Sequence, residues 1–289
     1  MADQRDGGLR LGASTGCTYH FDVVTEESVD LLHAMGVRDV EIYLQCEAEL
    51  DERYLQDLGA RCAGLGLTVT SLHPYVFGFE NLLFTPYLRQ RRWATLQFER
   101  YLHAARLLGA PAYVSHGPPR HLVTDGSAFD SNYVRTTRQL IGLAETYGVR
   151  YCLENVSYGL VSTPDDADHH LLEFGCALGL VVDVKSAWKA GFCPADFLQP
   201  RQLAAVSHLQ LSFRREGRYC RGVSGEITDA DVIDALRLCL RRRPALVPVL
   251  EIEARRAQEL ADTVQATRDL LSRLAAAPEH TDEHLHGRG

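Results

Sequence analysis

The sequence predicts an α/β fold, a single (β/α)8 TIM barrel, on three observations. Short apolar runs and amphipathic helical stretches alternate eight times along 289 residues. Such alternation implies parallel strands joined by right-handed crossovers, either closed into a barrel or opened into a doubly wound sheet. The count of eight, and the lack of a Gly-rich phosphate fingerprint after the first strand, favour closure; about 250 residues is an ordinary barrel length.

In chain order, strands are predicted over residues 9–14, 38–44, 67–73, 111–116, 149–155, 179–184, 206–212 and 246–252. Helices are predicted over 26–35, 51–65, 87–108, 130–147, 164–178, 195–203, 229–241 and 255–274. Glycines punctuate the passage from helix to strand at Gly36, Gly66, Gly109, Gly148 and Gly179, where a left-handed residue can end a helix. Thr25 with Glu26 and Glu27, Thr163-Pro164-Asp165-Asp166 and Thr228-Asp229 supply caps and first-turn acids at helix starts. Residues 1–8 and 277–289 are polar, non-periodic tails, so the barrel occupies 9–276 as one domain without a linker. His280, His284 and His286 fall in that second tail and carry little weight as ligands.

Composition narrows the function. A formal charge of -8 and a pI near 5.8 disfavour nucleic acid as a partner. No apolar run approaches the roughly 20 residues of a membrane span, and the polar amino terminus lacks a signal-peptide core. The eight cysteines include no C-x-x-C pair, and Cys62, Cys152, Cys176 and Cys239 fall within apolar patterns. They read as reduced core thiols, which implies a cytoplasmic location.

Glu154, Asp183, His208 and Glu251 each end a short run within one of the last four predicted strands, after Tyr151–Leu153, Leu180–Val182, Val206–Ser207 and Val247–Leu250. Buried carboxylates are costly without compensation, and the mouth of a barrel is where strand ends converge. One shared divalent cation would compensate all four. Three carboxylates and one imidazole suit Mn2+, with Mg2+, Co2+ or Zn2+ as alternatives. Taken singly, each residue has a plainer use: His208 as a hydrogen-bonded core imidazole, Asp183 as the cap of the next helix.

The order Glu, Asp, His, Glu on strands five to eight resembles the xylose isomerase-like barrel superfamily. That group includes sugar-phosphate isomerases, keto-sugar 3-epimerases, inosose dehydratases and endonuclease IV. Leu153-Glu154-Asn155, Val182-Asp183, Ser207-His208-Leu209, Val249-Leu250-Glu251, Leu72-His73, Ser115-His116 and the Gly222–Ile227 stretch carry the likeness, over about residues 9–275. There are departures. Ser186 stands where the epimerases and nucleases carry a His, and Leu160 where the epimerases carry a substrate-binding Glu. The stretch Phe213–Arg221 lacks the Asp-x-His pair of a three-zinc nuclease.

The resemblance implies a metal-dependent isomerase or epimerase, with Glu154 and Glu251 passing a proton through an enediolate that the ion stabilises. The alternatives are a dehydratase on a related polyol or hydroxy acid, an endonuclease IV-like phosphodiesterase, and a non-catalytic barrel partner. The implied substrate is a small hydroxy-carbonyl compound. It is anionic if the cluster Arg214, Arg215, Arg218 and Arg221 contacts it; a homo-oligomer is compatible with the chain. His73, His116, Lys185, Trp188 and Arg214 are the candidate substrate contacts, with Cys17, His20, Tyr43 and Tyr75 near the mouth.

Overall fold

The computed structural model describes residues 10–74, 79–122 and 131–276. Tyr75 and both predicted tails lie outside them.

Eight parallel strands close the barrel: β1 (Gly12–Ser14), β2 (Asp39–Tyr43), β3 (Thr68–His73), β4 (Ala112–Ser115), β5 (Arg150–Glu154), β6 (Gly179–Asp183), β7 (Val206–Leu211) and, after a hairpin, β10 (Val247–Leu250). β10 pairs with β1 through Val249–Gly12 and Leu250–Ala13, which completes the ring and leaves no edge strand. The hairpin is β8 (Phe213–Arg215) with β9 (Arg218–Cys220), an antiparallel pair in the loop after β7. The helices are α1 (Thr25–Ala34), α2 (Glu52–Gly64), α3 (Phe79–Leu83), α4 (Leu88–Leu108), α5 (Ser131–Thr146), α6 (Pro164–Phe174), α7 (Val184–Lys189), α8 (Pro200–Ala205), α9 (Ala230–Arg242) and α10 (Ala257–Ala276). No helix among the described residues is long and apolar enough to cross a membrane.

Local chemistry accounts for the boundaries. The Asp51, Thr163 and Asp229 side chains accept from backbone N–H groups in the first turns of α2, α6 and α9. Gly109 ends α4 at φ 69°, a conformation that a side chain disfavours. Gly179 is different: the left-handed turn after α6 falls at Gly175 (φ 68°), and Gly179 opens β6. A Cβ at Gly179 would lie 2.3 Å from the Cys152 sulfur, so its value is close strand packing. The predicted helix over 195–203 is broken in two, a 3-10 turn (Pro194–Leu198) and α8. Pro200 forces Gln199 out of helical geometry, at ψ 160°.

Side-chain alternation divides each strand between lumen and helix layer. Outside the barrel, Phe98 of α4 packs edge-on against Tyr113 of β4 and Tyr151 of β5, all fully buried. Inside, Ala112, Val114, Cys152 and Val181 form a separate apolar cluster beneath the β4–β6 mouth. The opposite part of the lumen is polar, with Glu41, Ser71, His208 and Gln210 fully or almost fully buried.

Candidate metal centre

At the mouth, the apolar cluster is topped by Glu154, which follows Cys152 on the same face of β5. His73 ends β3 and His116 follows β4. Among the described residues these three make the group of acid, His or Cys side chains whose ligand atoms all lie within 4.8 Å of one another. Glu154 Oε2 is 3.5 Å from His73 Nε2 and 3.4 Å from His116 Nε2. That oxygen is shielded from solvent and has no hydrogen-bond partner. Two separations of 3.4 and 3.5 Å, with the third within 4.8 Å, are compatible with one small ion held by all three.

Each imidazole is oriented from behind. His73 Nδ1 lies 3.0 Å from the Pro74 carbonyl oxygen, a pure acceptor, so Nδ1 carries the proton there. His116 Nδ1 lies 3.0 Å from the Tyr158 hydroxyl. In the ion-free protein, burial opposes a charge on His73, yet the neighbouring Glu154 and the charges of Glu41 and Glu251 push it up to about 10. Burial likewise opposes ionisation of Glu154, and the His116 and His73 rings override it, holding that carboxyl well below the usual carboxylate range.

The four ligands expected from the sequence do not share one role. Glu154 belongs to the triad above. Asp183 caps α7, accepting from Lys185 N (2.8 Å) and Ser186 Oγ (2.7 Å), so Ser186 supports Asp183. Asn155 ties Asp183 to β5 by donating to its carbonyl oxygen and accepting from its N–H. Burial, then the charge of Glu154, raises Asp183 to about 6. His208 pairs with Val181 and Val247 in the sheet, one layer below Gln210, which pairs with Asp183. Its Nε2 is 3.0 Å from Glu41 Oε2, which gives that nitrogen a partner within the lumen. Glu251 retains partial exposure as a residue, but its Oε2 is inaccessible and unbonded. Burial and the charges of Glu154, Asp183 and Glu41 raise it well above the usual carboxylate range.

Sequence reasoning missed Glu41. This fully buried acid on β2 accepts from Ser71 Oγ (2.8 Å), His208 Nε2 (3.0 Å) and Gln210 Nε2 (3.4 Å). Burial would raise its carboxyl, but His208, His73 and Ser71 hold it at about 2. Gln210 was visible only as a lumen-facing residue; its Oε1 is buried without a partner.

The expected substrate contacts also separate. His73 and His116 sit in the triad. Arg214 is bound to Asp229 and Asp231 and lies over the Trp188 ring at 4.0 Å, while Trp188 Nε1 donates to Asp231. Both therefore anchor the hairpin to α7. Lys185 Nζ stays at the mouth, 3.5 Å from Glu253 and 5.4 Å from the centre of the Tyr219 ring. Tyr43 stacks obliquely on His73 at 5.1 Å, and His20 is exposed. Cys17 is buried, its thiol pushed up to about 12 chiefly by burial, which removes it as a nucleophile.

The architecture is shared with solved barrels of low sequence identity. A xylose isomerase domain protein from Planctomyces limnophilus superposes with a TM-score of 0.70 at 16% identity, covering 94% of this chain and 100% of that one. A D-tagatose 3-epimerase-like protein gives 0.71 at 17% identity, covering 92% and 98%. The IolI protein with a binding zinc atom gives 0.70 at 15% identity, covering 92% and 98%. No curated protein sequence matches the chain significantly. The family model described as xylose isomerase-like TIM barrel matches residues 29–218, more than half of the chain. On that match, and with the barrel closed as described, the chain belongs to the xylose isomerase-like TIM barrel family.

Proposed function

We propose that the chain is a divalent-metal-dependent enzyme that moves a proton on a small hydroxy-carbonyl compound, as an isomerase or epimerase. The observation that carries this reading is the convergence of His73 Nε2, His116 Nε2 and Glu154 Oε2, with the buried oxygen unbonded between two imidazoles. These three residues would hold the ion. When bound, it supplies Lewis-acid polarisation of a substrate carbonyl. Two nitrogens and one oxygen suit zinc as well as the manganese expected from the sequence. The likeness to an epimerase-like barrel and to a zinc-bound one supports the reaction class and the type of cofactor.

Glu251 is the proton carrier in this reading. Its buried Oε2 has no bond to break before it acts, and burial with the surrounding carboxylates keeps the proton on it; once it has given that proton to the substrate oxygen, the carboxylate left behind takes the one released from carbon. Glu154 is then the ion-holding carboxylate and not the second base. Asp183, fixed by α7, adds negative charge that keeps Glu251 loaded. Lys185 takes over from Arg214 as the cation available to an anionic group on the substrate. On a substrate with a β-hydroxyl group, Glu251 would protonate the departing hydroxyl and, as the carboxylate, take up the proton released from the α-carbon, so that water is lost with no net change at Glu251; a dehydratase is therefore the second reading.

The test is deuterium uptake from heavy water into a panel of ketoses, sugar phosphates and hydroxy-keto acids, followed by mass spectrometry with Zn2+ or Mn2+ present. Uptake is expected for the wild type, and is lost both on chelation and in Glu251→Gln. Uptake that survives both treatments refutes the reading.

A further inference from the structure

The loops after β4 and β5 are fastened to each other directly behind His116. Arg120 N donates to the Tyr158 carbonyl (3.0 Å), and Pro119 and Gly159 form an isolated antiparallel bridge. The Arg120 guanidinium reaches across to Ser162 Oγ (3.1 Å) and Asp166 (2.7 Å). Gly159 makes the approach possible, since a Cβ there would stand 2.5 Å from Val156 Cγ2 and 3.3 Å from the His116 carbonyl oxygen. The product of this clamp is one contact, the Tyr158 hydroxyl at 3.0 Å from His116 Nδ1.

The two imidazoles of the triad are thus backed by different chemistry. Behind His73 is a carbonyl, which only accepts, so a neutral His73 always presents an Nε2 lone pair. Behind His116 is a phenol, which both donates and accepts. With Tyr158 donating to Nδ1, the His116 proton sits on Nε2 and faces Glu154 Oε2. With the hydroxyl turned to accept from Nδ1–H, Nε2 offers a lone pair to a cation. Rotation of one O–H bond changes which of these forms is satisfied, and no heavy atom has to move.

We propose that Tyr158 is a positioning residue for the metal centre, whose reversible hydroxyl lets His116 change from a partner of Glu154 to a ligand. The inference rests on the metal reading above and adds to it a residue outside the ligand set. Partners of this kind behind a ligating His contribute roughly 10–100-fold in metal affinity.

The experiment measures Zn2+ affinity of the full chain by competition with a chromophoric chelator, together with 15N spectra of the histidine rings before and after zinc. In the wild type, zinc should move the His116 proton from Nε2 to Nδ1, while His73 keeps its Nδ1 proton and gives up only the one on Nε2. Tyr158→Phe keeps the ring and should lose at least tenfold in affinity. Gly159→Ala, which pushes the loop off His116 while keeping the hydroxyl, should weaken zinc in the same direction. Affinity within twofold of wild type in Tyr158→Phe overturns the inference, as does a His116 proton that remains on Nε2 with zinc bound. The first result leaves the metal reading standing; the second also removes His116 from its ligand set. A folded wild type that binds no zinc or manganese removes both.

Discussion

Glu41→Leu is the sharpest test of how the barrel interior is held. The substitution removes the acceptor for three buried donors: Ser71 Oγ, His208 Nε2–H and Gln210 Nε2–H. The Ser71 hydroxyl can rotate; the imidazole and the amide cannot follow without leaving their strands. Two orphaned donors at about 1–3 kcal/mol each give roughly 2–6 kcal/mol. That agrees with the ~3–5 kcal/mol typical of breaking one side of a buried ion pair. A domain holds about 5–15 kcal/mol in total, so urea unfolding followed by circular dichroism resolves the loss easily. Adding His208→Leu removes one orphan and should recover about 1–3 kcal/mol as a non-additive term. A loss below about 1 kcal/mol in Glu41→Leu refutes the argument that this carboxylate organises the lumen. The His208→Leu chain serves a second purpose: its zinc affinity should stay within a few-fold of wild type. Loss of the ion there would return His208 to the ligand role expected from the sequence.

Two further outcomes follow from groups remote from the mouth. His170 is fully buried on α6, with Nδ1 2.7 Å from the Asp166 carbonyl and Nε2 2.9 Å from the Tyr133 hydroxyl, and burial lowers it from 6.5 to about 4. The unfolded chain binds this proton more readily, so the contribution is complete above pH 6.5 and is lost as pH falls towards 4, about 3 kcal/mol in all. Comparing stability against pH for wild type and His170→Gln isolates the effect; equal slopes across that window would contradict it. Gly179→Ala places a methyl group 2.3 Å from the Cys152 sulfur and should cost roughly 1–3 kcal/mol, read as a lower thermal midpoint. An unchanged midpoint would show that β5 and β6 can separate at no cost.

The barrel was legible because its signals are local. Apolar runs, caps such as Thr163 and glycines such as Gly109 each specify a boundary without reference to the rest of the chain. The site was legible only in part, because its geometry depends on stagger between strands. His208 reads as a strand-end ligand, yet its sheet partners Val181 and Val247 set it a layer below Asp183. Nothing in the residues near His208 encodes that offset. Asp183 was correctly placed at a strand end, but the short helix that begins at Val184 claims its oxygens as a cap. Glu41 escaped notice because it lies mid-strand, between Val40 and Ile42, and reading acids only at strand ends passes over it. The hairpin over 213–220 was hidden by its arginines, which mask any alternation of apolar and polar positions.

The small side chains beneath Glu154 have a consequence for how such a centre can diversify. Ala112, Val114, Cys152 and Val181 are all short. Together they work as a shim under the carboxylate. A methylene added at any of these positions would lift the donor atom towards the opening, and one removed would let it sink. On the proposed reading, the place of an ion held by Glu154 would thus be adjustable by silent-looking aliphatic exchanges, away from the residues that would do the chemistry.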